Sequence, residues 1–500
     1  MTSKTGRNRA ASAAVGAGSS ATGHVGIWAA LFPVLAVVGM LSWNVWVYGD
    51  DAIGGSNQFI LLLGGAAAAL VGFRHRISYS CMLDHVSSNL KTTTGAILIL
   101  LMVGALSGAW LVSGIIPAMI YYGLKLLNPN VFLPATLLIC SVVSLATGSS
   151  WSTSATVGIA LIGIGKAVGV PEAMTAGAVI SGAYFGDKMS PLSDTTNLAP
   201  AMAGTDLFTH VRYLAYTTFP TYAITLLIFV FLGFTIETSG AASAGATLSA
   251  IESVFSVTPW LFVVPALVIF MIVKKTQPLI ALLAGTLLGA AFAVVFQPQV
   301  LAGLAGVERL DFVSSYKGLM NALTVKTAIV TPDASLNDLF SAKGMEGMLG
   351  TVWLIICAMV FGGVMEAIGA LHRISSTLLK AADSIFGLFA STVASCIAVN
   401  LTASDQYLAI VVPGKMFAEP FRDKGLAPEN LSRTLEDSGT VTSALVPWNT
   451  CGAYHAGVLG VGTLSYLPYA FFNLISPFMT LTFAALRIKI RALKKEPDAC

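Results

Sequence analysis

Between Gly186 and Asn197 the chain reads Gly186-Asp187-Lys188-Met189-Ser190-Pro191-Leu192-Ser193-Asp194-Thr195-Thr196-Asn197. Two carboxylates, a lysine and a run of hydroxyl and amide side chains thus sit between apolar sequence on either side, Thr175 to Phe185 and Leu198 to Ala203. A carboxylate at a bilayer centre costs roughly 2.5–3.5 kcal/mol, so two in one span need a partner, a cavity or a ligand. Oxygen-rich groups of this kind suit a hard cation such as sodium better than a transition metal. Burial also lifts a carboxyl group's pKa from about 3.9 towards neutrality, which lets it trade a proton for that cation. The competing reading is a polar loop outside the membrane.

Three more stretches carry the same chemistry inside apolar sequence. They are Thr147-Gly148-Ser149-Ser150-Trp151-Ser152-Thr153-Ser154, Asn400 to Gln406, and Glu436 to Ser443 with Pro447-Trp448-Asn449-Thr450 beyond it. The candidate cation and proton ligands are therefore Thr147, Ser149, Ser150, Asp187, Asp194 and Asn197 in the first half. The second half offers Thr402, Ser404, Asp405, Asp437, Ser438, Thr440 and Asn449. Glu366, in an apolar run, is either a proton site or an interhelical hydrogen-bond partner. Lys188, Glu436 and Lys415 read as structural, and His455 as a hydrogen-bonded core histidine. Trp151 and Trp448 are packing residues or the walls of a pocket for an organic substrate. The six cysteines are scattered without metal-type spacing, so sodium is the one metal ion implied.

Composition fixes the class. The 500 residues are 55% hydrophobic and 10% charged, with a mean hydropathy of +0.79. Soluble domains carry about 25% charged residues, so this is an all-α polytopic membrane protein. A net charge of +3 gives no reason to expect a nucleic-acid partner. No nucleotide-binding motif or nucleophile–base pair is present, which argues against an enzyme or a primary pump, and no cofactor is implied beyond transported ions.

Six segments are expected: a disordered cytoplasmic tail (1–25), a pair of spans (26–77), a first repeat (95–236), connecting spans with an external segment (237–344), a second repeat (345–486) and a basic tail (487–500). Ser78–Thr94 is mixed in character and predicts an interfacial helix, and Asp206–Tyr213 a short interfacial arm ahead of a span at Thr217–Ile236. Each repeat holds a long apolar helix (Gly95–Leu127, Met345–Leu371), two short apolar halves around a polar tip (Val131–Lys166, Ile385–Phe417) and an interrupted helix (Pro171–Ala203, Asn430–Leu459). The halves are too short to span and predict re-entrant hairpins. Setting Thr147 opposite Thr402 (402 − 147 = 255) and Asn197 opposite Asn449 (449 − 197 = 252) gives the repeat offset. Basic turns at Arg74-His75-Arg76 and Lys274-Lys275, and a basic end, place both termini in the cytoplasm with ten full spans. The repeats then run in opposite directions, the architecture of secondary transporters. A channel is disfavoured, because carboxylates in two broken helices of opposite orientation serve alternating access instead.

At Gly148-Ser149-Ser150-Trp151, at Gly182 through Asn197, at Asp405-Gln406-Tyr407 with Val412-Pro413-Gly414-Lys415-Met416-Phe417, and at Leu435 to Thr440 with Pro447-Trp448-Asn449-Thr450-Cys451-Gly452, the chain resembles the NhaC-type sodium/proton antiporter family. The likeness runs from about residue 27 to residue 485. It implies exchange of sodium for protons across the cytoplasmic (inner) membrane, inverted repeats with re-entrant hairpins, and a homodimer in the lipid bilayer. Some relatives look instead like sodium-coupled carriers of a small organic solute, malate and lactate or amino acids. The shared motifs serve the ion in both branches, so the two readings stay open.

Overall fold

A computed structural model describes residues 25–48, 55–126, 128–236, 240–331, 337, 340–380 and 382–493. Nearly all of the leading tail, the Asp50-Asp51 turn and residues 494–500 of the basic tail lie outside the described residues. Among the described residues, eight helices are long and apolar enough to cross a membrane, or up to ten if two bent pairs each count as one span. Their outer faces carry large apolar side chains: Leu227, Phe231 and Phe234 on one helix are each about two-thirds exposed. Such a surface suits lipid rather than water. The protein is an all-α polytopic membrane protein, with one two-residue strand pair, Thr327–Ala328 with Ser341–Ala342, among the described residues.

Three helices differ from the sequence-based expectation. Ser78–Thr94 is not a separate interfacial helix. Ser78 Oγ accepts from Cys81 N (3.3 Å) as an N-cap, and one helix then runs from Tyr79 to Val112. Neither proline nor a sequence of turn formers interrupts those residues, so their polar end simply continues the apolar span. Likewise the arm near Asp206 and the span after it form one helix, Leu207–Thr235, capped by Asp206 through Thr209 N (2.9 Å). The last span is bent by 57° between Thr463–Tyr469 and Phe471–Ala485.

The polar tips are helix–turn–helix units, and their first arms, Pro129–Thr147 and Ile385–Thr402, are by length and composition long enough to cross a membrane, unlike the short halves expected. The first runs Pro129–Thr147, turns at Gly148 (φ 71°), and returns through Ser150–Thr153, a π-helical turn at Ser154–Gly158, and Ile159–Ala167. The second runs Ile385–Thr402, turns at Ser404 (φ 60°) and returns as Gln406–Asp423. The first interrupted helix is Glu172–Met189 followed by Asp194–Ala203, broken at the predicted stretch. In the second, the polar run expected to be the interruption is instead wound into a π-helical turn, Glu436–Thr440, that continues Pro428–Leu435. Its break lies later, between Ser443–Leu445 and Thr450–Leu459.

Helix ends set the internal register. Asn128 and Ser384 are both N-caps (384 − 128 = 256). At the same offset Ser149 matches Asp405, Pro171 matches Ala427, Ser193 matches Asn449 and Asp206 matches Gly462, each pair again N-caps. The left-handed turns follow suit: Gly148 with Ser404, Gly169 with Gly425, Gly204 with Gly460. The halves therefore share one backbone pattern without insertion over this stretch. This shifts the pairing read from side chains: Asn449 corresponds to Ser193, not Asn197, and Thr147 to Ala403.

Close helix contact holds the first half together. Glu172–Met189 lies along Pro129–Thr147. A Cβ on Gly182 would sit 2.4 Å from Leu137 O, and one on Gly186 2.5 Å from Ser141 O. Small residues four apart let the backbones approach, the usual device for packing helices in lipid. The Ser144 hydroxyl donates to Ala183 O (2.5 Å) across the same seam.

Candidate functional site

A cavity of about 640 Å³ opens where the two tips meet the first break. Thr147, Gly148 and Ser149 of the first tip, Asp405, Gln406 and Tyr407 of the second, and Pro191 through Asp194 of the break line it. Of the sequence candidates, Thr147, Ser149, Asp187, Asp194, Asn197, Asp405 and Trp151 reach this space. Its walls are completed by Thr92, Thr93 and Gly95 of the long helix and by the Lys275–Pro278 turn. Three carboxylates therefore face one volume, and among the described residues lining it Lys275 is the one cation.

Each carboxylate is positioned by a helix end. Asp187 lies in the last turn of Glu172–Met189, and its Oδ2 accepts from Ser150 N (3.1 Å) and Ser150 Oγ (2.7 Å), at the start of the returning arm. Ser150 thus acts behind the cavity wall, through Asp187. Asp405 caps its own helix through Leu408 N (2.9 Å). Asp194 opens the helix after the break, beside the Ser193 cap. Asn197 spends its amide donors on Pro191 O (3.0 Å) and Ser193 O (2.6 Å), so it fixes the shape of the break. Thr196 Oγ does the same from the other side, donating to Asp187 O (3.2 Å) and Lys188 O (3.1 Å).

The remaining candidates lie elsewhere. Asp437 is buried in an ion pair with Lys188, which also donates to Ser476 Oγ (2.9 Å). Ser438 Oγ and Thr402 Oγ donate to carbonyls one turn back in their own helices, Thr434 O and Ala398 O. Thr440 Oγ lies beside the Glu436 carboxyl group, and Ser404 Oγ is buried without a partner. Asn449 caps Thr450–Leu459 and donates to Asn400 Oδ1 (3.1 Å), while Thr450 N donates to Ser404 O (2.9 Å), so these residues lock the second tip to the second break. Glu366 is half-exposed rather than buried, because it faces the polar end of the long helix. Its Oε2 lies 3.9 Å from His85 Nδ1 and accepts from the Asn89 amide (3.2 Å), whose oxygen accepts from Gly363 N. His455 is buried in the core as expected, its Nδ1 hydrogen-bonded with Ser154 Oγ (3.0 Å).

The two tryptophans do not share a pocket. Trp151 stacks on Tyr454 (4.0 Å between ring centroids) at the edge of the cavity. Trp448 donates from Nε1 to Leu401 O (2.9 Å) and lines a second cavity of about 690 Å³. That cavity is the counterpart of the first: Thr351 and Pro447 line it where Gly95 and Pro191 line the other, each 256 residues apart (351 − 95, 447 − 191). Gln406, Tyr407 and Thr450 also line the first cavity; they stand in the quoted motifs but are not among the candidate ligands. The helix-cap register would have found them, opposite Ser150, Trp151 and Asp194.

Comparison with known proteins follows the same residues. A family model described as the Na+/H+ antiporter family matches residues 182–488. The Na(+)/H(+) antiporter NhaC of Alkalihalophilus pseudofirmus is 38% identical over 423 residues, 85% of this chain and 88% of that protein. A malate-2H(+)/Na(+)-lactate antiporter of Bacillus subtilis is 36% identical over 467 residues, 92% of this chain and 93% of that one. The NhaC antiporter of Bacillus subtilis is 35% identical over 418 residues, 83% and 88% respectively.

Proposed function

Because the chain belongs to the Na+/H+ antiporter family, and is a transporter rather than an enzyme, we propose that it exchanges sodium for protons across the cytoplasmic membrane by alternating access. Asp187, Asp194 and Asp405 are the cation- and proton-binding groups, with Thr147 and Ser149 at the same wall. The observation that carries this reading is the convergence of three carboxylates, drawn from both halves, on one cavity beside a broken helix. Sodium is met by oxygen ligands, and protonation of the same carboxylates displaces it.

The 256-residue register supports an inverted repeat, with the two tips as re-entrant hairpins and the two cavities as vestibules on opposite sides. The polar vestibule is bordered by Lys275, and the positive-inside rule assigns that side, and both termini, to the cytoplasm. A homodimer is carried over from the family resemblance.

The test is a pH-gradient dequenching assay in proteoliposomes, adding sodium, lithium or potassium without organic solute. Sodium-dependent proton movement is expected, and Asp187→Asn is expected to abolish it in protein that still inserts and folds. No sodium-dependent proton movement in the wild-type protein would refute the proposal. A second reading, a sodium-coupled carrier of an organic solute, is favoured by the cavity volume, which is in the range of small-molecule sites. The charge of the lining disfavours malate or lactate, since three carboxylates repel an organic anion and Lys275 alone attracts it.

A further inference from the structure

Glu436 is fully buried in the π-helical turn, where the Thr440 hydroxyl is the side-chain donor beside its carboxyl group. In the same turn Asp437 Oδ2 is buried without a partner. Glu436 lines neither cavity. An ionised carboxylate in such surroundings is expensive. The ammonium at hand, Lys188, is already engaged by Asp437 and Ser476.

We propose that Glu436 is a proton-binding site of the transport cycle, separate from the cavity carboxylates, which is loaded in this conformation and releases its proton as sodium enters beside Asp187. The inference rests on the exchange reading above. It names a group that this reading does not use.

The surrounding charges support it. Facing Glu436 are Lys188 and Asp187 from Glu172–Met189 and Asp437 from its own turn. Arg433, on the preceding turn, stacks on Tyr213 and Phe483 and donates to Lys489 O (3.3 Å). Among the other elements packed on the turn, Ile385–Thr402 brings Cys396, Asp194 opens into the cavity, Lys415 and Glu419 of Gln406–Asp423 are exposed, and Phe471–Ala485 has no titratable side chain. Lys188 and Asp437 cancel, so the turn is balanced while Glu436 is a neutral acid. Sodium at Asp187 adds a positive charge one residue from Lys188, in a medium of low dielectric where charges interact strongly. Glu436 restores the balance by ionising: its O–H bond breaks, the electron pair stays on the carboxylate, and the proton passes to water when the cycle opens a path to it. Lys188 is then the cation nearest to the new carboxylate. A proton rather than a second sodium fits this position, because a hard cation needs a shell of oxygens and an open path, and Glu436 lines neither of the two cavities.

The experiment counts protons. Purified full-length protein in detergent, weakly buffered with a pH-indicator dye, receives sodium chloride, and protons released are compared with radioactive sodium bound. Glu436→Gln is expected to bind sodium as the wild type does while releasing about one proton fewer per sodium. Unchanged proton release overturns the proposal, and so does loss of sodium binding in a folded variant. If Glu436→Gln does not fold, the wild type decides. Its sodium-induced infrared difference spectrum, with carboxyl-labelled glutamate, is expected to lose a label-sensitive band of a protonated acid, and absence of that band overturns the proposal. A wild type that binds sodium but releases no protons overturns the exchange reading itself.

Discussion

The ion pair between Lys188 and Asp437 decides whether Asp437 is scaffold or ligand. Both side chains are fully buried, and Ser476 Oγ completes the ammonium's shell (2.9 Å). In Asp437→Asn the Lys188 charge loses its counter-ion inside the membrane. Breaking one partner of a buried pair costs about 3–5 kcal/mol, whereas replacing both by neutral groups is often close to neutral. At 1.4 kcal/mol per factor of ten, that lowers the folded-to-unfolded ratio by a factor of roughly 10² to 4 × 10³. Adding Lys188→Met removes the uncompensated charge, so the double variant is expected to recover most of the loss. The assay is thermal unfolding in detergent, followed by sodium-dependent dequenching of the surviving variants. A double variant no more stable than Asp437→Asn would refute the pairing argument. A double variant that is stable but binds no sodium would refute the assignment of Asp437 to the scaffold.

Three further outcomes follow from the same geometry. Ser150→Ala keeps the backbone donor to Asp187 but removes the hydroxyl; a hydrogen bond to a charged group is worth about 1.5–3 kcal/mol, so half-maximal sodium in the exchange assay should rise roughly tenfold or more. Glu366→Gln should leave sodium-dependent exchange near the wild-type rate, since Glu366 pairs with His85 and Asn89 away from the cavity, and a loss of exchange would return it to the site. Ser404→Gly copies Gly148 at the equivalent turn and should stabilise the fold by about 1 kcal/mol, the cost of a left-handed residue with a side chain, measured as a higher unfolding temperature.

What could be read from the residues was whatever violated the apolar background. Asp187, Asp194 and Asp405 are costly in hydrocarbon unless they meet something, and each lines the cavity. The turn at Gly148 was equally visible as a polar tip. The π-helical turn was not, because Glu436 to Ser443 is more polar than the true break at Val446–Asn449, and polarity alone cannot tell a buried charge cluster from an unwound backbone. The pairing of Lys188 with Asp437 joins residues far apart in sequence, beyond the reach of any local pattern. Which of its two readings Glu366 takes is not legible in its own apolar helix, because its partners His85 and Asn89 lie at the polar end of a neighbouring helix. Polarity at Ser78–Thr94 was taken for an interface when it marks only the end of a longer helix.

The two halves share a backbone and divide the charges between them. At the common register Asp187 stands opposite Ser443, Lys188 opposite Ala444, Asp437 opposite Ser181, and Asp405 opposite Ser149. The Lys188–Asp437 pair therefore crosses from one half to the other and has no mirror image. It binds the end of the first interrupted helix to the π-helical turn of the second, and Ser476 adds the last span. Ser150 ties the first tip to Asp187, and Asn400 ties the second tip to Gly439 O (2.7 Å) and to Asn449. Tips and interrupted helices are thus fastened to one another around the carboxylates. The walls at Thr92, Thr93 and Gly95 and at Lys275–Pro278 belong to other helices and contribute no partner to Asp187 or Asp405 among these bonds. If these carboxylates hold sodium and protons in turn, as proposed, access to the ion changes most cheaply where this bonded group slides against those walls, rather than by unfastening them.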